Sequence, residues 1–239
     1  MEKETWRVEF AGKNPGEINM QRDAIFLNDA RSPEFVPILR FYDWLNPTLT
    51  IGYGQPRDDI DFDALRADGV DFAVRPTGGR AVLHWDEVTY SIILPANHPI
   101  SESSVIESYK IISEGLVAGL RRLDIPAEVT RGELGGHKNP SCFSSTSRYE
   151  VVVGGRKLIG SAQRRKHGAL LQQGSIPVGP QFRQLNKYLE GHPEDVGLAK
   201  KATCIREIIP EDYPNDMIYK ALAEGLSQTL DVSLRITDG

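Results

Sequence analysis

One cysteine and one lysine in this 239-residue chain have the residue types and the spacing of a nucleophile and its electrostatic partner. Cys142 lies in the loop sequence NPSCFSS, and Lys157 follows 15 residues later, just past a Gly-Gly turn. A nearby ammonium group lowers the pKa of a thiol and raises the fraction present as thiolate. The spacing leaves a second interpretation open, because isolated cysteines are often small buried hydrophobic residues. Cys204, in the apolar stretch ATCIREII, is predicted to be a packing residue of that kind.

A first stretch with the composition of a ligand-binding loop is RPTGGRAVLH, from Arg75 to His84. Its adjacent glycines tolerate positive φ angles and let backbone N–H groups approach a ligand closely. Arg75 and Arg80 flank the pair, and their guanidinium groups are suited to carboxylate or phosphate. The simpler interpretation of the glycines is a tight hairpin turn with surface arginines. The stretch matches neither GxGxxG nor a P-loop, so it predicts no nucleotide fingerprint.

A second stretch, GSAQRRKHGALLQQGSI, covers residues 160–176. Gly160, Ser161 and Gly174 permit close approach of the backbone to a bound molecule. The tip carries four basic residues, Arg164, Arg165, Lys166 and His167. Such a tip is usually a solvated turn, but on a chain of net charge −5 it is also a candidate dock for an acidic partner.

Hydrophobic periodicity changes repeatedly between the two-residue period of strands and the 3.6-residue period of helices. Strands are predicted at Trp6–Phe10, Ile38–Tyr42, Thr48–Tyr53, Asp71–Arg75, Glu87–Leu94, Ala127–Arg131, Tyr149–Val153, Lys157–Ser161 and Ala169–Ile176. Helices are predicted at Ile18–Asn28, Asp61–Asp68, Ser101–Leu123 and Met217–Leu230. Grouped strands, often joined by hairpins, indicate an α+β fold with mixed, mostly antiparallel sheets and helices packed on them.

Three of these patterns make more detailed predictions. In the first helix, Met20, Ala24 and Leu27 have the spacing of one buried face. Glu87–Leu94 alternates cleanly, which predicts a strand with Val88, Tyr90, Ile92 and Leu94 on one face. Gly154-Gly155 predicts the turn of a β-hairpin.

Composition restricts the class of protein. Hydrophobic residues at 40% and charged residues at 26% are ordinary for a globular chain, and the net charge of −5 gives no general attraction to nucleic acid. No apolar run reaches the roughly 18 residues of a membrane span, and the polar start MEKETWRVEF lacks the apolar region of a signal peptide. The five histidines and two cysteines show no metal-ligand spacing. We therefore expect a single cytoplasmic domain over residues 1–239 that binds no metal, nucleic acid or membrane.

Several stretches in combination resemble the biotin/lipoate ligase superfamily, on its lipoate side. They are LRFYDWLNPTLTIGYGQ, RPTGGRAVLHWDEVTYSI, NPSCF and GRKLIGSAQRRKHGALLQQGSI, together with an early helix, INMQRDAIF. The resemblance extends from about residue 16 to about residue 235, nearly the whole chain. It implies the α+β fold of that superfamily's catalytic domain, without the accessory C-terminal domain of the long ligases.

Two branches of this family are possible for the chain. Ligases of the lipoate-protein ligase A branch activate free lipoate with ATP and Mg²⁺ and pass it from the acyl-adenylate to a carrier-domain lysine. Octanoyltransferases instead take octanoate from octanoyl-acyl-carrier protein through a cysteine thioester and need no cofactor. Gly-Gly-Arg at 78–80, the strand EVTYS at 87–91 and Cys142-Phe143 resemble the transferase pattern. The ligase is the alternative; a biotin-protein ligase and a non-catalytic acyl-binding module are more remote ones.

The resemblance also implies roles for individual residues. Cys142 would be the nucleophile and Lys157 would stabilise its thiolate and the oxyanion, whereas the base that deprotonates the acceptor lysine is open between His84 and His137. The acceptor would be a lipoyl domain or an H-type protein of glycine cleavage, and the group octanoyl or lipoyl. The implied acyl-binding residues are Arg75, Thr77, Gly78, Gly79, Arg80, Val82, His84, Gly160, Ser161, Ala162 and Gly174.

Overall fold

The computed structural model describes residues 3–130, 149–191 and 197–237. The strands in these ranges are β1 (Thr5–Asn14), β2 (Ile38–Trp44), β3 (Thr48–Gly52), β4 (Asp71–Arg75), β5 (Val82–His84), β6 (Glu87–Leu94), β7 (Glu128–Thr130), β8 (Glu150–Val153), β9 (Arg156–Lys166), β10 (Ala169–Pro177) and β11 (Ser233–Ile236). The α-helices are α1 (Gly16–Asp29), α2 (Phe62–Asp68), α3 (Pro99–Glu102), α4 (Val105–Arg121), α5 (Leu198–Lys201) and α6 (Asn215–Leu230). Short 3₁₀-helices occupy Arg57–Asp59, Pro180–Tyr188 and Ile205–Glu207. None of the helices in the described ranges is long and apolar enough to cross a membrane.

The larger sheet has the strand order β11-β1-β2-β6-β10-β9-β8-β7 within the described residues. β1 pairs in parallel with β11 and β2, whereas β2–β6, β6–β10, β10–β9, β9–β8 and β8–β7 are antiparallel pairs. The predicted mixed, mostly antiparallel sheet is therefore confirmed. Val88, Tyr90, Ile92 and Leu94 of β6 lie in the main hydrophobic cluster, as predicted, and the residues of the opposite face are buried too. Glu87, Thr89 and Ser91 make hydrogen bonds inside the protein.

The smaller sheet has the order β4-β3-β5. β3 and β4 are parallel and α2 connects them, while β5 pairs antiparallel with the other side of β3. Because β3 lies between β4 and β5, the segment that holds the two glycines crosses over the sheet. The interpretation of that segment as a hairpin turn is therefore wrong. The crossing is close: a Cβ on Gly52 would lie 2.4 Å from the carbonyl oxygen of Gly79.

β8, β9 and β10 form two consecutive hairpins. The first turn is the predicted one, with Gly154 and Gly155 at φ 55° and 74°. β9 then continues to Lys166, beyond its predicted end at Ser161, because its first part pairs with β8 and its last part with β10. The length of β9 matters for the site, since one strand carries both Lys157 and the residues that follow it into the cavity described below.

The long helical pattern from Ser101 to Leu123 is broken, and this prediction is corrected by the structure. α3 ends at Glu102 and α4 begins at Val105. The side chain of Ser104 caps α4 by accepting a hydrogen bond from the backbone N–H of Glu107 (3.1 Å). Serine favours such caps because its hydroxyl competes with helical backbone hydrogen bonds. The apolar stripe reports only the spacing of hydrophobic residues, so it did not reveal the break.

α4 and α6 pack closely against each other through glycines. A Cβ on Gly225 would lie 2.1 Å from the backbone nitrogen of Gly119, and one on Gly115 would lie 2.7 Å from the side chain of Leu226. The two helices share the main hydrophobic cluster with β1, β2, β6 and β10 of the larger sheet. This packing buries one face of that sheet and leaves the other face for the cavity.

The buried face of α1 is rotated from the prediction. Met20 and Leu27 are buried as expected, but Ala24 is exposed and Asp23 is buried in its place. A buried carboxylate is tolerated only where opposite charge and hydrogen bonds compensate it. Arg40, on β2, provides that compensation for Asp23.

Candidate active site

A cavity of about 360 Å³, partly open to solvent, is lined by residues of both sheets. Four neighbouring strands of the larger sheet, β2, β6, β10 and β9, contribute to it, as do β4, β5 and the segment between them. Three interstrand spacings give it a reach of about 14 Å across the larger sheet. The lining residues are Met20, Tyr42, Trp44, Arg75, Thr77, Val82, His84, Thr89, Gly160, Ser161, Ala162, Gln173, Gly174 and Ser175.

The cavity brings together residues from both stretches that the sequence singled out. Eight implied binding residues line it, namely Arg75, Thr77, Val82, His84, Gly160, Ser161, Ala162 and Gly174. Gly78, Gly79 and Arg80 are not among the lining residues and form the crossing segment beside it. Cys142 and His137 lie outside the described residues. Among the residues that the structure describes, no group of three or more His, Cys, Asp or Glu could hold a metal ion.

Arg75 fixes the shape of the crossing segment. Its Nε and Nη2 donate to the carbonyl oxygen of Gly78 (3.2 and 2.9 Å), and Nη2 also donates to that of Arg80 (2.6 Å). Nη1 donates to the backbone and side-chain oxygens of Thr50, both at 3.2 Å. These five hydrogen bonds go to neutral protein oxygens, and binding of a carboxylate or phosphate by this guanidinium stays a prediction. Gly79 suits this arrangement, since its φ is +94° and a Cβ there would lie 2.9 Å from Nη2 of Arg75.

His84 is held in the cavity wall by both ring nitrogens. Nδ1 lies 2.8 Å from Oε1 of Glu87, and Nε2 lies 2.8 Å from Oγ1 of Thr50. The ring stacks on Trp44 with 4.0 Å between centroids, and the indole N–H of Trp44 donates to Thr89 (2.8 Å). Nδ1 therefore faces the carboxylate of Glu87, and Nε2 faces the hydroxyl of Thr50. Both nitrogens are thus engaged, which weighs against His84 as the base for the acceptor lysine.

A buried ionic cluster adjoins the cavity; it consists of Glu9, Asp23 and Arg40, each 0% exposed. Nη1 of Arg40 donates to Asp23 in a short contact, and its Nε donates to Glu9 (3.2 Å). Burial alone would lower the pKa of Arg40, but the neighbouring groups, Asp23 above all, outweigh it and raise the pKa. Tyr42 donates to the same Asp23 carboxylate at 3.0 Å. Burial, assisted by Asp23, raises the pKa of Tyr42 well above its ordinary value, so Tyr42 remains a neutral donor.

Gln173 connects this ionic cluster to the crossing segment. Its Nε2 donates to Oδ2 of Asp23 (2.7 Å), and its Oε1 accepts from the hydroxyl of Thr77 (2.7 Å). The Asp23 carboxylate therefore orients the amide of Gln173, and the amide in turn holds the Thr77 side chain. The ionic cluster itself does not line the cavity, but it sets the positions of Gln173 and Thr77, which do.

Ser161 and Gly174 are placed by a buried tyrosine. The hydroxyl of Tyr90 lies 2.8 Å from Oγ of Ser161 and accepts from Nε2 of Gln172 (2.7 Å). Burial raises the pKa of Tyr90 to about 12, although these hydrogen bonds oppose the shift. Gly174 is required beside it, because a Cβ would lie 2.1 Å from the Tyr90 ring.

Lys157 is buried near the cavity but is not part of its lining. It lies on β9, three residues before Gly160, and is 5% exposed. Its Nζ donates to Oε1 of Glu150 (2.6 Å), which is also buried at 6% exposed. Removing an ammonium from water is unfavourable unless a partner compensates it. Glu150, which the sequence analysis missed, therefore fixes the position of Lys157.

Cys204 is a packing residue, as predicted. It is 0% exposed and lies in a cluster with Val82, Phe182, Leu198 and Ala202. Burial and the nearby charge of Glu207 raise the pKa of its thiol, which makes it a poor nucleophile.

The basic tip contributes to structure more than the sequence suggested. Arg164 donates to the carbonyl oxygen of Pro76 (2.8 Å), and its guanidinium lies 4.3 Å from the ring centroid of Tyr53. Arg165 donates to the carbonyl oxygens of Ser101 and Ser103 (2.8 and 2.6 Å) at the break between α3 and α4. These two arginines connect the β9–β10 hairpin to neighbouring segments, so a solvated turn is the wrong description of them. Whether the tip also docks an acidic partner stays a prediction.

Sequence reasoning missed several cavity and support residues. Those in the lining are Met20, Tyr42, Trp44, Thr89, Gln173 and Ser175, and those behind it are Glu9, Asp23, Arg40, Glu87 and Glu150. One signal was available: Arg40 interrupts the apolar run ILRFYDW, and a charge at a core position requires a buried partner. The identity of that partner, Asp23 on α1, depends on the tertiary fold.

Comparisons with known proteins place this architecture among lipoylation enzymes. Residues 15–227 match the family of the lipoyl protein ligase A/B catalytic domain. The chain is 41% identical over 245 residues to the octanoyltransferase LipM of Kyrpidia tusciae, covering 97% of this chain and 89% of the relative. It is 38% identical over 248 residues to octanoyltransferase LipM of Bacillus subtilis, covering 98% and 89%. The fold is similar to that of a bipartite lipoate-protein ligase from Thermoplasma acidophilum, with a TM-score of 0.75 at 22% identity, covering 98% of this chain and 87% of that one. The superfamily fold implied by the sequence motifs is confirmed.

Proposed function

The chain belongs to the family of lipoyl protein ligase A/B catalytic domains, and we propose from this membership that it is an octanoyltransferase of protein lipoylation that acts through a thioester on Cys142. The donor is octanoyl-acyl-carrier protein. The acceptor is a lysine of a lipoyl domain or of an H-type protein of glycine cleavage. No nucleotide takes part in the reaction. The relatives named octanoyltransferases, at 38–41% identity over nearly the whole chain, favour this branch over the ATP-dependent ligase.

One observation carries the site assignment: a cavity between the two sheets is lined by both sequence stretches that the family resemblance singled out. Val82, Trp44 and Met20 give it apolar surface. Its wall is pre-formed, since His84 and Thr77 are held by buried partners. Several of the polar side chains in the lining already hydrogen-bond to protein groups, and the apolar surface beside them suits an acyl chain.

The first half-reaction is acyl transfer to the enzyme. The Cys142 thiolate attacks the carbonyl carbon of the octanoyl thioester, and the tetrahedral intermediate expels the thiolate of the carrier protein. One thioester is exchanged for another, so no external energy source is required. Lys157 stabilises the Cys142 thiolate and the oxyanion of the intermediate, and Glu150 keeps its ammonium in place.

The second half-reaction forms the amide. The neutral ε-amine of the acceptor lysine attacks the enzyme thioester, Cys142 leaves as a thiolate, and the nitrogen loses one proton. The base remains open between His137 and His84, although His84 has both ring nitrogens engaged in hydrogen bonds.

Intact-mass spectrometry tests the proposal. We expect the protein to gain the mass of one octanoyl group after incubation with octanoyl-acyl-carrier protein without ATP, and to lose it when an acceptor domain is added. Cys142→Ser should abolish the adduct. Cys204→Ala is the matched control, because the second cysteine is buried in a packing cluster, and it should keep the adduct.

Two results would overturn the proposal. An adduct that persists in Cys142→Ser would assign the nucleophile elsewhere. Acceptor modification that requires ATP and free octanoate or lipoate, in wild type and Cys142→Ser alike, would identify the ligase branch instead.

A further inference from the structure

The cavity has a distal end, away from the reacting residues. Lys157 and Gly160 lie on β9, whereas Tyr42 and Trp44 lie on β2, and β10 and β6 lie between these strands. Across three strand spacings, the β2 end is about 14 Å from the β9 end. If the acyl carbonyl is held near β9, as the proposed function requires, the methyl end of the chain points toward β2 and α1.

Two different walls close the distal end. Trp44 and His84 line this cavity and also a second groove on their other side, which includes Asn46 and Asp86. This wall is rigid: the two rings stack, and hydrogen bonds to Thr89 hold the indole while Glu87 and Thr50 hold the imidazole. It cannot move without breaking several buried hydrogen bonds at once.

The other wall is one methionine. Met20 lines the cavity and also an outer groove of about 750 Å³ formed with Phe72, Ala73 and Val74. It is 5% exposed and lies in a small apolar cluster with Tyr42, Trp44 and Ala73. Its sulfur accepts a long contact from Nε2 of Gln173 (3.6 Å). Methionine is unbranched and flexible, so it closes the cavity without being locked there.

We propose that Met20 determines the length of acyl chain that the enzyme accepts. This inference rests on the proposed function, because the orientation of the chain follows from the reaction at β9. Met20 is the side chain that separates the cavity from the outer groove, and shortening it joins the two spaces. A longer chain then passes Met20 and its end lies against Phe72 and Val74.

The experiment measures chain-length preference in the full-length protein. Hexanoyl-, octanoyl-, decanoyl- and dodecanoyl-acyl-carrier protein compete for self-acylation, and mass spectrometry reads the ratio of adducts. One additional methylene in an apolar pocket changes specificity by roughly 10–200-fold. We therefore expect Met20→Ala to raise the decanoyl-to-octanoyl ratio by at least about tenfold, and Met20→Phe to shift preference toward hexanoyl.

Two control variants separate a change in pocket length from general damage. Met20→Leu keeps a similar volume and should keep the wild-type ratio. Ala24 is one turn further along α1 and lines the outer groove but not the cavity. Ala24→Ser should therefore also leave the ratio unchanged. In parallel, calorimetry measures the affinities of the four free fatty acids. Their order reports the chain length that the pocket accepts, independently of the acylation reaction.

The outcomes distinguish this inference from the proposed function. One result would overturn the role of Met20 and leave the proposed function intact. In that result the octanoyl donor acylates the wild type, but Met20→Ala changes neither the adduct ratio nor the fatty-acid preference. Absence of both acylation and fatty-acid binding in the wild type would overturn the proposed function and the inference with it. A third result is a changed fatty-acid preference in Met20→Ala together with acylation that requires ATP. It would support the role of Met20 and identify the protein as a ligase.

Discussion

Two buried ionic groups, a triad toward one end of the cavity and a pair toward the other, differ in how the chain builds them. At the β2 end, Arg40 pairs with Asp23 and Glu9, which come from α1 and β1. At the β9 end, Lys157 pairs with Glu150 across a single hairpin, seven residues away in sequence. All five side chains are 6% exposed or less. The triad joins distant elements, whereas the pair belongs to one hairpin.

This difference indicates different consequences of mutation. The Arg40 cluster is coupled to the cavity through Gln173 and Thr77, but neither Arg40 nor Asp23 lines the cavity. Its main contribution is to the stability and register of α1 against the sheet. Lys157 is the candidate for contact with reacting atoms, so we expect its replacement to reduce rate more than stability.

The largest expected effect is on stability, from Asp23→Ala. Removing this carboxylate leaves Arg40 and the Tyr42 hydroxyl buried with one partner fewer, and breaking a buried ion pair from one side costs about 3–5 kcal/mol. Urea denaturation followed by circular dichroism measures the change. Asp63→Ala is the control, because Asp63 pairs with Arg66 at the surface, and it should cost less than about 1 kcal/mol. Equal losses in the two variants would mean that burial does not distinguish these pairs.

The next effect is on rate, from Lys157→Arg. The substitution retains the positive charge opposite Glu150, so stability should change little, but a planar guanidinium presents its donors in other directions than an ammonium. We expect at least about a tenfold loss of kcat/KM, which corresponds to roughly 1.4 kcal/mol of transition-state stabilisation. Lys187→Arg, at an exposed pair with Asp68, should keep full activity. A smaller loss in Lys157→Arg would reduce Lys157 to a supporting role.

The contrast between the triad and the pair also explains what could be predicted from sequence. Local patterns predicted β1–β4 and β6–β10, the turn at Gly154-Gly155 and most of α6, because neighbouring residues decide these features, whereas β5 and β11 were missed. The family motifs led to most of the cavity lining on β9 and β10 and in the crossing segment. The Arg40 partners could not be predicted, since Glu9, Asp23 and Arg40 meet only after α1 packs on the sheet. Met20 was predicted to be buried, but nothing in the helical period shows that it faces a cavity.

A smaller effect is expected at the connection between the ionic cluster and the cavity, from Thr77→Val. The variant keeps the shape of the side chain but removes the hydrogen bond to Oε1 of Gln173, which is then left buried with one donor fewer. Such a loss costs about 1–3 kcal/mol, and part of it should appear as a several-fold rise in KM for the acyl donor. Thr48→Val removes a buried hydroxyl that bonds to the Asn46 carbonyl outside the cavity lining. It should lose stability without any change in KM, and a KM rise of equal size in both variants would contradict the connection.

The smallest expected effect comes from an ion cluster that is not buried, centred on Glu207. Its carboxylate accepts from Arg183 at 2.6 and 2.8 Å and from Arg156 at 3.0 Å, and it is about a third exposed, at 32%. The hydrogen bonds from Arg183, above all, lower the pKa of Glu207 to about 2 from the ordinary value of 4.5. Solvent screens the pair, so we expect Glu207→Gln to cost about 1 kcal/mol or less at neutral pH.

The pH dependence separates this exposed cluster from the buried one. A carboxylate whose pKa is lower in the folded than in the unfolded state contributes its full stability above the unfolded pKa and loses it as pH falls through the folded pKa. The difference in unfolding free energy between wild type and Glu207→Gln should therefore be constant above about pH 5 and shrink from pH 4.5 toward pH 2. Urea denaturation at pH 7, 5, 4 and 3 measures it, with the exposed Glu211→Gln as the control. A difference that stays constant down to pH 3 and also matches the control would show that the arginines do not favour the ionised carboxylate. The exposed cluster would then make no measurable contribution to the unfolding free energy.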